Sequence, residues 1–203
     1  MATELLFRDD AYLKVASARV VAWHPKGVEL DRTIFYPLGG GQIGDTGVLV
    51  RGNGERIPIE DTRKDHALDV VLHQTAAAAA RPEAGETLTL EIDWPRRYRL
   101  MRLHTALHLM SCVVTAPVSG GNIGADRARL DFDIDMSLLD GQRIESQMNE
   151  LISRCIETET VWITDDELEA RPELVKTMSV QPPRGAGRVR LLRIAGVDLQ
   201  PCG

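Results

Sequence analysis

What most limits the fold of this chain is the density of turns in its first ninety or so residues. Six short runs with β character, Tyr12–Trp23, Thr33–Tyr36, Val48–Arg51, Ile57–Glu60, Val70–His73 and Thr87–Trp94, are separated by turn clusters such as HPKG, PLGGGQ and RGNGE. Many short strands at close spacing predict a small β-barrel or sandwich. Aromatic residues are only 4% of the chain, so the core of such a barrel is mainly aliphatic. The alanine run Ala76–Ala80 reads as a short helix or a loop spacer and carries no function.

At Trp94–Pro95 the texture changes. From Arg96 to about Val114, apolar residues at Leu100, Leu103, Leu107 and Met110 recur with a helical period. Asp140–Thr158 predicts a second helix, with Ile144, Met148, Leu151, Ile152, Cys155 and Ile156 on one buried stripe. Arg127–Asp133 alternates like a strand, Val161–Ile163 is a short strand, and Val189–Val197 is read as the last one. Thr164 with Glu167 forms a capping box for a short helix. The expected fold class is therefore α+β. A small β-barrel domain spans residues 1–93, and in residues 94–203 helices pack on an antiparallel sheet.

The 203 residues suffice for one large domain or two small ones. Hydrophobic residues at 43% and charged residues at 27% are ordinary for a globular chain. A net charge of −6 argues against non-specific nucleic-acid binding but leaves room for a local basic face. The segment MATELLFRDD has charges too early for a signal peptide, and no run of about 18 apolar residues is present. Three cysteines, at 112, 155 and 202, are too few and too irregular for a disulfide framework. The expected compartment is the reducing cytoplasm.

Within the first helix stands LHTALHLM, which sets His104 and His108 four residues apart. Neighbours at that spacing have β-carbons about 5–6 Å apart, and two neutral imidazoles so placed can grip one Zn²⁺. The spacing alone does not separate metal ligands from a satisfied pair of core histidines. Thr105, Ala106 and Leu107 stand between the two, so the helix lacks the glutamate base of the zinc-protease pattern H-E-x-x-H. A third soft ligand is needed. Cys112 lies in the apolar segment SCVV and Cys155 on the second helical stripe, where free cysteines are small buried hydrophobes. Cys202 lies in the turn-like LQPCG, free to aim its sulfur at a metal.

Four segments together, HTALH, SGGNIGADRARLDFD, RVRLLRIAGVDLQPCG and FYPLGGGQIGDTG, resemble the AlaX-type alanyl-tRNA editing proteins, free-standing relatives of the editing domain of alanyl-tRNA synthetase. The resemblance runs from about Leu6 to Gly203. The family pattern is H-x-x-x-H followed by C-x-x-x-H. His104, His108 and Cys202 match its first three ligands, and the resemblance places the fourth, a histidine, beyond Gly203. It implies a zinc-dependent aminoacyl-tRNA deacylase, with these three residues as the catalytic metal centre. Its substrate would be tRNA(Ala) carrying serine, or glycine. It also implies that Gly39, Gly40 and Gly41 lean over the editing site, with Gln42, Thr46 and Thr105 as polar contacts to substrate. Read without the resemblance, the three glycines are a tight turn between barrel strands.

A tRNA partner needs local positive surface. Arg96, Arg97, Arg99 and Arg102 lie at the start of the histidine helix. Lys176, Arg184, Arg188, Arg190 and Arg193 lie in a stretch without acids from Leu174 to Val197. Both clusters flank proposed ligands and are expected to meet phosphates, with QPPRGAG (181–187) as a loop closing on the acceptor end. Two other readings stand beside this one: a tRNA-binding module in which zinc only staples the fold, and a metal-dependent hydrolase of another small ester or amide. His24, His66 and His73 lack ligand spacing and are read as surface or structural.

Overall fold

The computed structural model describes residues 2–76, 81–178 and 187–202. The chain divides into two compact units, Met1–Met101 and Arg102–Gly203.

In the first unit, β1 (Glu4–Leu5) pairs in parallel with β4 (Arg32–Thr33). Six antiparallel strands close a barrel in the order β2 (Val15–His24), β3 (Gly27–Leu30), β7 (Val70–Thr75), β6 (Arg56–Asp65), β5 (Gly47–Val50) and β8 (Thr87–Ile92). Alternation drives this. In β8, Leu88, Leu90 and Ile92 point inward and the residues between them outward. The buried apolar cluster is aliphatic apart from Phe35, as the composition requires. The barrel alternative is the one that forms. Strand β3 was not legible. It pairs with β2 across the two-residue turn Pro25–Lys26, and all four of its residues are buried, Glu29 included. That acidic residue breaks the apolar pattern; its carboxylate meets His24 at 2.6 Å. The expected strand Thr33–Tyr36 is reduced to the end of β4, because Ile34 and Phe35 leave the ladder to fill the core.

Helix α1 (Trp94–Val113) starts in the first unit and ends in the second. The second unit adds a hairpin of β9 (Val118–Ile123) and β10 (Ala128–Phe132), helix α2 (Gly141–Ser153), β11 (Thr158–Thr164), α3 (Asp165–Glu169), β12 (Arg188–Ile194) and β13 (Asp198–Pro201). Strands β11, β12 and β13 form one antiparallel sheet. Leu109 of α1, Met148 of α2 and Ile194 of β12 share a core, so helices lie on the sheet and the class is α+β. The Thr164–Glu167 capping box opens α3.

Two readings of this unit need correction. Helix α2 stops at Ser153, because Cys155 takes a left-handed φ of 46° just beyond the C-cap Arg154. Cys155 is exposed and Ile152 is 53% exposed, so these two leave the expected stripe, whereas Ile144, Met148, Leu151 and Ile156 pack in the core. The last strand is not 189–197 either. The chain turns through Ala195–Val197, with Gly196 at φ 68°, and returns as β13. Asp198 and Pro201 hid that strand, since neither favours a sheet interior. No helix among the described residues is long and apolar enough to cross a membrane. Residues 77–80 of the alanine run and 181–186 of the expected loop lie outside the described set.

Candidate metal centre

The α-helical repeat sets His104 and His108 on one face of α1. Their rings stack with centroids 5.1 Å apart and planes 2° apart. The hairpin return of β13 brings Cys202 to them, anchored by its N–H donating to the Arg190 carbonyl at 3.0 Å. Its sulfur lies 3.9 Å from His104 Nε2, and one donor atom from each of the three residues lies within 4.8 Å of the others. Residues 199–202 of the segment LQPCG are thus the end of a strand plus one residue rather than a free turn, and that gives the sulfur a fixed origin.

The donor set fits a divalent soft-to-borderline cation. His108 Nδ1 donates to Gln200 Oε1 at 3.0 Å, which puts the ring proton on Nδ1 and leaves the lone pair on Nε2. Nε2 is buried and has no hydrogen-bond partner. A buried lone pair without a donor is costly unless a cation meets it. Burial opposes a charge on Cys202, but the adjacent imidazoles of His104 and His108 outweigh it and hold the thiol well below its ordinary range. Thiolate is the form a metal takes. Burial likewise opposes protonation of His108, and the contact with Cys202 overcomes it in the raising direction. Two imidazoles and one thiolate suit zinc.

Cys112 departs from the reading of a small buried hydrophobe. Its thiol is half-buried and donates to Asp198 Oδ2 at 3.1 Å. Burial comes first and the Asp198 bond second in pushing that thiol up to about 11, so it stays protonated and outside the donor set. Sequence reasoning missed Asp198 and Gln200. Their position, four and two residues before Cys202, was the available signal.

The glycine segment forms a tight turn. Gly39 and Gln42 exchange both backbone hydrogen bonds, and Gly40 and Gly41 sit at φ 56° and 80°, values that side chains resist. Gln42 is buried, and the Thr46 hydroxyl donates to Asp93 Oδ2 at 3.4 Å. Thr105 is half-buried on α1 between the two histidines.

The basic clusters divide. Arg99, Arg102, Arg188 and Arg193 are exposed, and Arg96 and Arg190 are half-buried. Arg188 lies over the Trp162 ring, and Arg193 pairs with Glu159 at 2.6 Å. Arg184 lies outside the described residues. Arg97 is not a phosphate contact. It is 3% exposed, and its guanidinium is engaged by the buried Asp45 at 2.5 and 2.9 Å and by the carbonyls of Ile34 and Ala11. Lys176 is corrected too, because its ammonium is 2.5 Å from Asp198 Oδ2 and its charge is already balanced.

A family model described as class II (A) tRNA synthetases matches residues 8–96. Across nearly its full length the chain is 34% identical to alanyl-tRNA editing protein AlaX-M of Saccharolobus solfataricus, covering 99% of this chain and 85% of that one. It is 30% identical to AlaX-L of Pyrococcus horikoshii, covering 98% and 50% respectively. It is also 34% identical to alanine–tRNA ligase of Methanothermobacter thermautotrophicus, of which it covers 23%. The chain belongs to the AlaX family of alanyl-tRNA editing proteins.

Proposed function

We propose that this protein is a trans-editing hydrolase that deacylates mischarged tRNA(Ala), chiefly Ser-tRNA(Ala) and also Gly-tRNA(Ala), in the cytoplasm. The observation that carries the reading is the meeting of His104, His108 and Cys202 in a chain of the AlaX family. Residues 1–93 act as the glycine-motif domain and residues 94–203 as the zinc-binding editing domain.

The physical need is clear. A pocket selecting alanine cannot strongly reject serine, which adds a hydroxyl, or glycine, which lacks a methyl. A second site built to hydrogen-bond that hydroxyl rejects alanine instead, because alanine leaves its polar groups unpaired. The family resemblance assigns that task to Gln42, Thr46 and Thr105, with Gly39, Gly40 and Gly41 as further substrate contacts. His104, His108 and Cys202 would hold a Zn²⁺ ion. A zinc ion held there would supply Lewis-acid polarisation for hydrolysis of the ester. The reaction consumes water and needs no nucleotide. Arg96, Arg99, Arg102, Arg184, Arg188 and Arg190 meet the phosphates near the acceptor end.

Deacylation of seryl-, glycyl- and alanyl-tRNA(Ala), measured side by side, tests this. Turnover of the first two with alanyl-tRNA(Ala) spared is expected. Binding of all three with no turnover would instead make the chain a non-catalytic module.

A further inference from the structure

Behind His108 lies a chain of buried and half-buried side chains that contributes no donor to the cluster. Gln200 is 7% exposed and accepts from His108 Nδ1 at 3.0 Å. Its amide nitrogen faces three acceptors: the His108 carbonyl at 3.2 Å, the Ser111 hydroxyl at 2.9 Å and the Asp198 carboxylate. The Ser111 hydroxyl can donate to the His108 carbonyl at 2.8 Å or to Gln200 Oε1 at 3.1 Å, and in either case its oxygen accepts from the Gln200 amide. Asp198 is pinned in turn by Lys176 at 2.5 Å and by the Cys112 thiol at 3.1 Å.

We propose that Gln200 is a positioning residue that locks the tautomer of His108, and that the Lys176–Asp198 pair decides which way the Gln200 amide points. The inference rests on the metal reading given above. An amide has two orientations of nearly equal shape, distinguished only by the groups around it. Here a flip would turn the carbonyl oxygen onto the His108 carbonyl and the Asp198 carboxylate, two groups that can only accept. It would also turn the NH₂ onto His108 Nδ1. That nitrogen would then have to accept, and the ring proton would move to Nε2. Nε2 is the atom aimed at the cluster with His104 and Cys202, and a protonated Nε2 cannot ligate. An ion pair two bonds of the network away therefore keeps the lone pair where a cation needs it.

The same geometry accounts for the neutral amide at position 200. Histidine ligands are commonly backed by a carboxylate. A carboxylate here would face Asp198 within hydrogen-bond distance, as a second negative charge in a buried place. The amide supplies the acceptor that His108 needs and a donor that Asp198 needs.

The test is zinc affinity of the full chain, measured by competition with a chromophoric chelator. The His108 ring protons of the zinc-loaded protein are read by long-range ¹H–¹⁵N NMR. Gln200→Leu is expected to weaken zinc about 10–100-fold and to abolish an exchange-protected Nδ1 proton, with circular dichroism unchanged. Lys176→Met, which touches no ligand, is expected to weaken zinc by a smaller factor. Unchanged affinity in a folded Gln200→Leu variant overturns the inference. If that variant does not fold, unchanged affinity in Lys176→Met overturns it. A wild-type chain that takes up no zinc sinks the metal reading and this inference together. A zinc-binding wild type with indifferent variants sinks the inference alone.

Discussion

Arg97 and His73 show how a single residue's surroundings decide its role. Both belong to types that the sequence marks as chemically active, and both are structural. Arg97 stands in a run of arginines, and nothing in that run distinguishes it from its neighbours; its partner Asp45 is 52 residues away. Burial raises the Asp45 pKa, and the bonds from Arg97 work against that rise. Arg97→Met would leave the carboxylate buried and unpaired. A loss of about 3–5 kcal/mol is expected in urea unfolding, and unaltered stability would remove the pair from the account. His73 is completely buried. Its Nδ1 donates to the Val28 carbonyl at 3.0 Å, and its Nε2 accepts from the Thr33 hydroxyl at 2.7 Å. Burial lowers its pKa from 6.5 to about 4, against the Val28 bond. Between those values the unfolded chain binds a proton that the native barrel refuses. The stabilisation is whole above pH 6.5 and is lost as pH falls toward 4, by about 3 kcal/mol in all. Unfolding free energies at pH 7 and pH 5, compared with a His73→Gln variant, check this; equal pH slopes would contradict it.

At the level of elements, legibility followed periodicity. Helix α1, most of the barrel strands and the α3 capping box were readable because apolar spacing or a local cap carried them. Strand β3 was hidden by Glu29, β9 by Gly120 and Gly121, and β13 by Asp198 and Pro201. In each case a tertiary partner, not local propensity, settles the strand. The candidate site divides in the same way. His104, His108 and Cys202 were visible by type and spacing, whereas Gln200 and Asp198 matter only through what the β12–β13 hairpin places beside them. The closing seam of the barrel gives a prediction at this scale. A Cβ on Gly47 would meet the Glu91 carbonyl at 2.3 Å and Phe35 Cε1 at 2.8 Å, where β5 joins β8. Gly47→Ala is expected to cost about 1–3 kcal/mol. Gly52→Ala, with nothing within 4 Å, should be near neutral. Equal melting temperatures for the two variants would show that the seam is not tight.

For the molecule as a whole, the proposed RNA substrate and a net charge of −6 together call for local cations. Arg99, Arg102 and Arg188 are exposed and are the residues the proposal assigns to that task. Affinity for tRNA(Ala) should then fall steeply with salt, by about a hundredfold between 50 and 200 mM for some five phosphate contacts. Binding that ignores salt would place recognition elsewhere. The central claim is that the two histidines of α1 and the cysteine at the end of β13 form the centre that hydrolyses the mischarged ester. The most direct measurement is the single-turnover deacylation rate of Ser-tRNA(Ala) with the wild-type chain and with Cys202→Ala. The account predicts rapid hydrolysis by the wild type and a loss of at least about a hundredfold in the variant, with the variant still folded and still binding tRNA. Equal rates in the two proteins would contradict it.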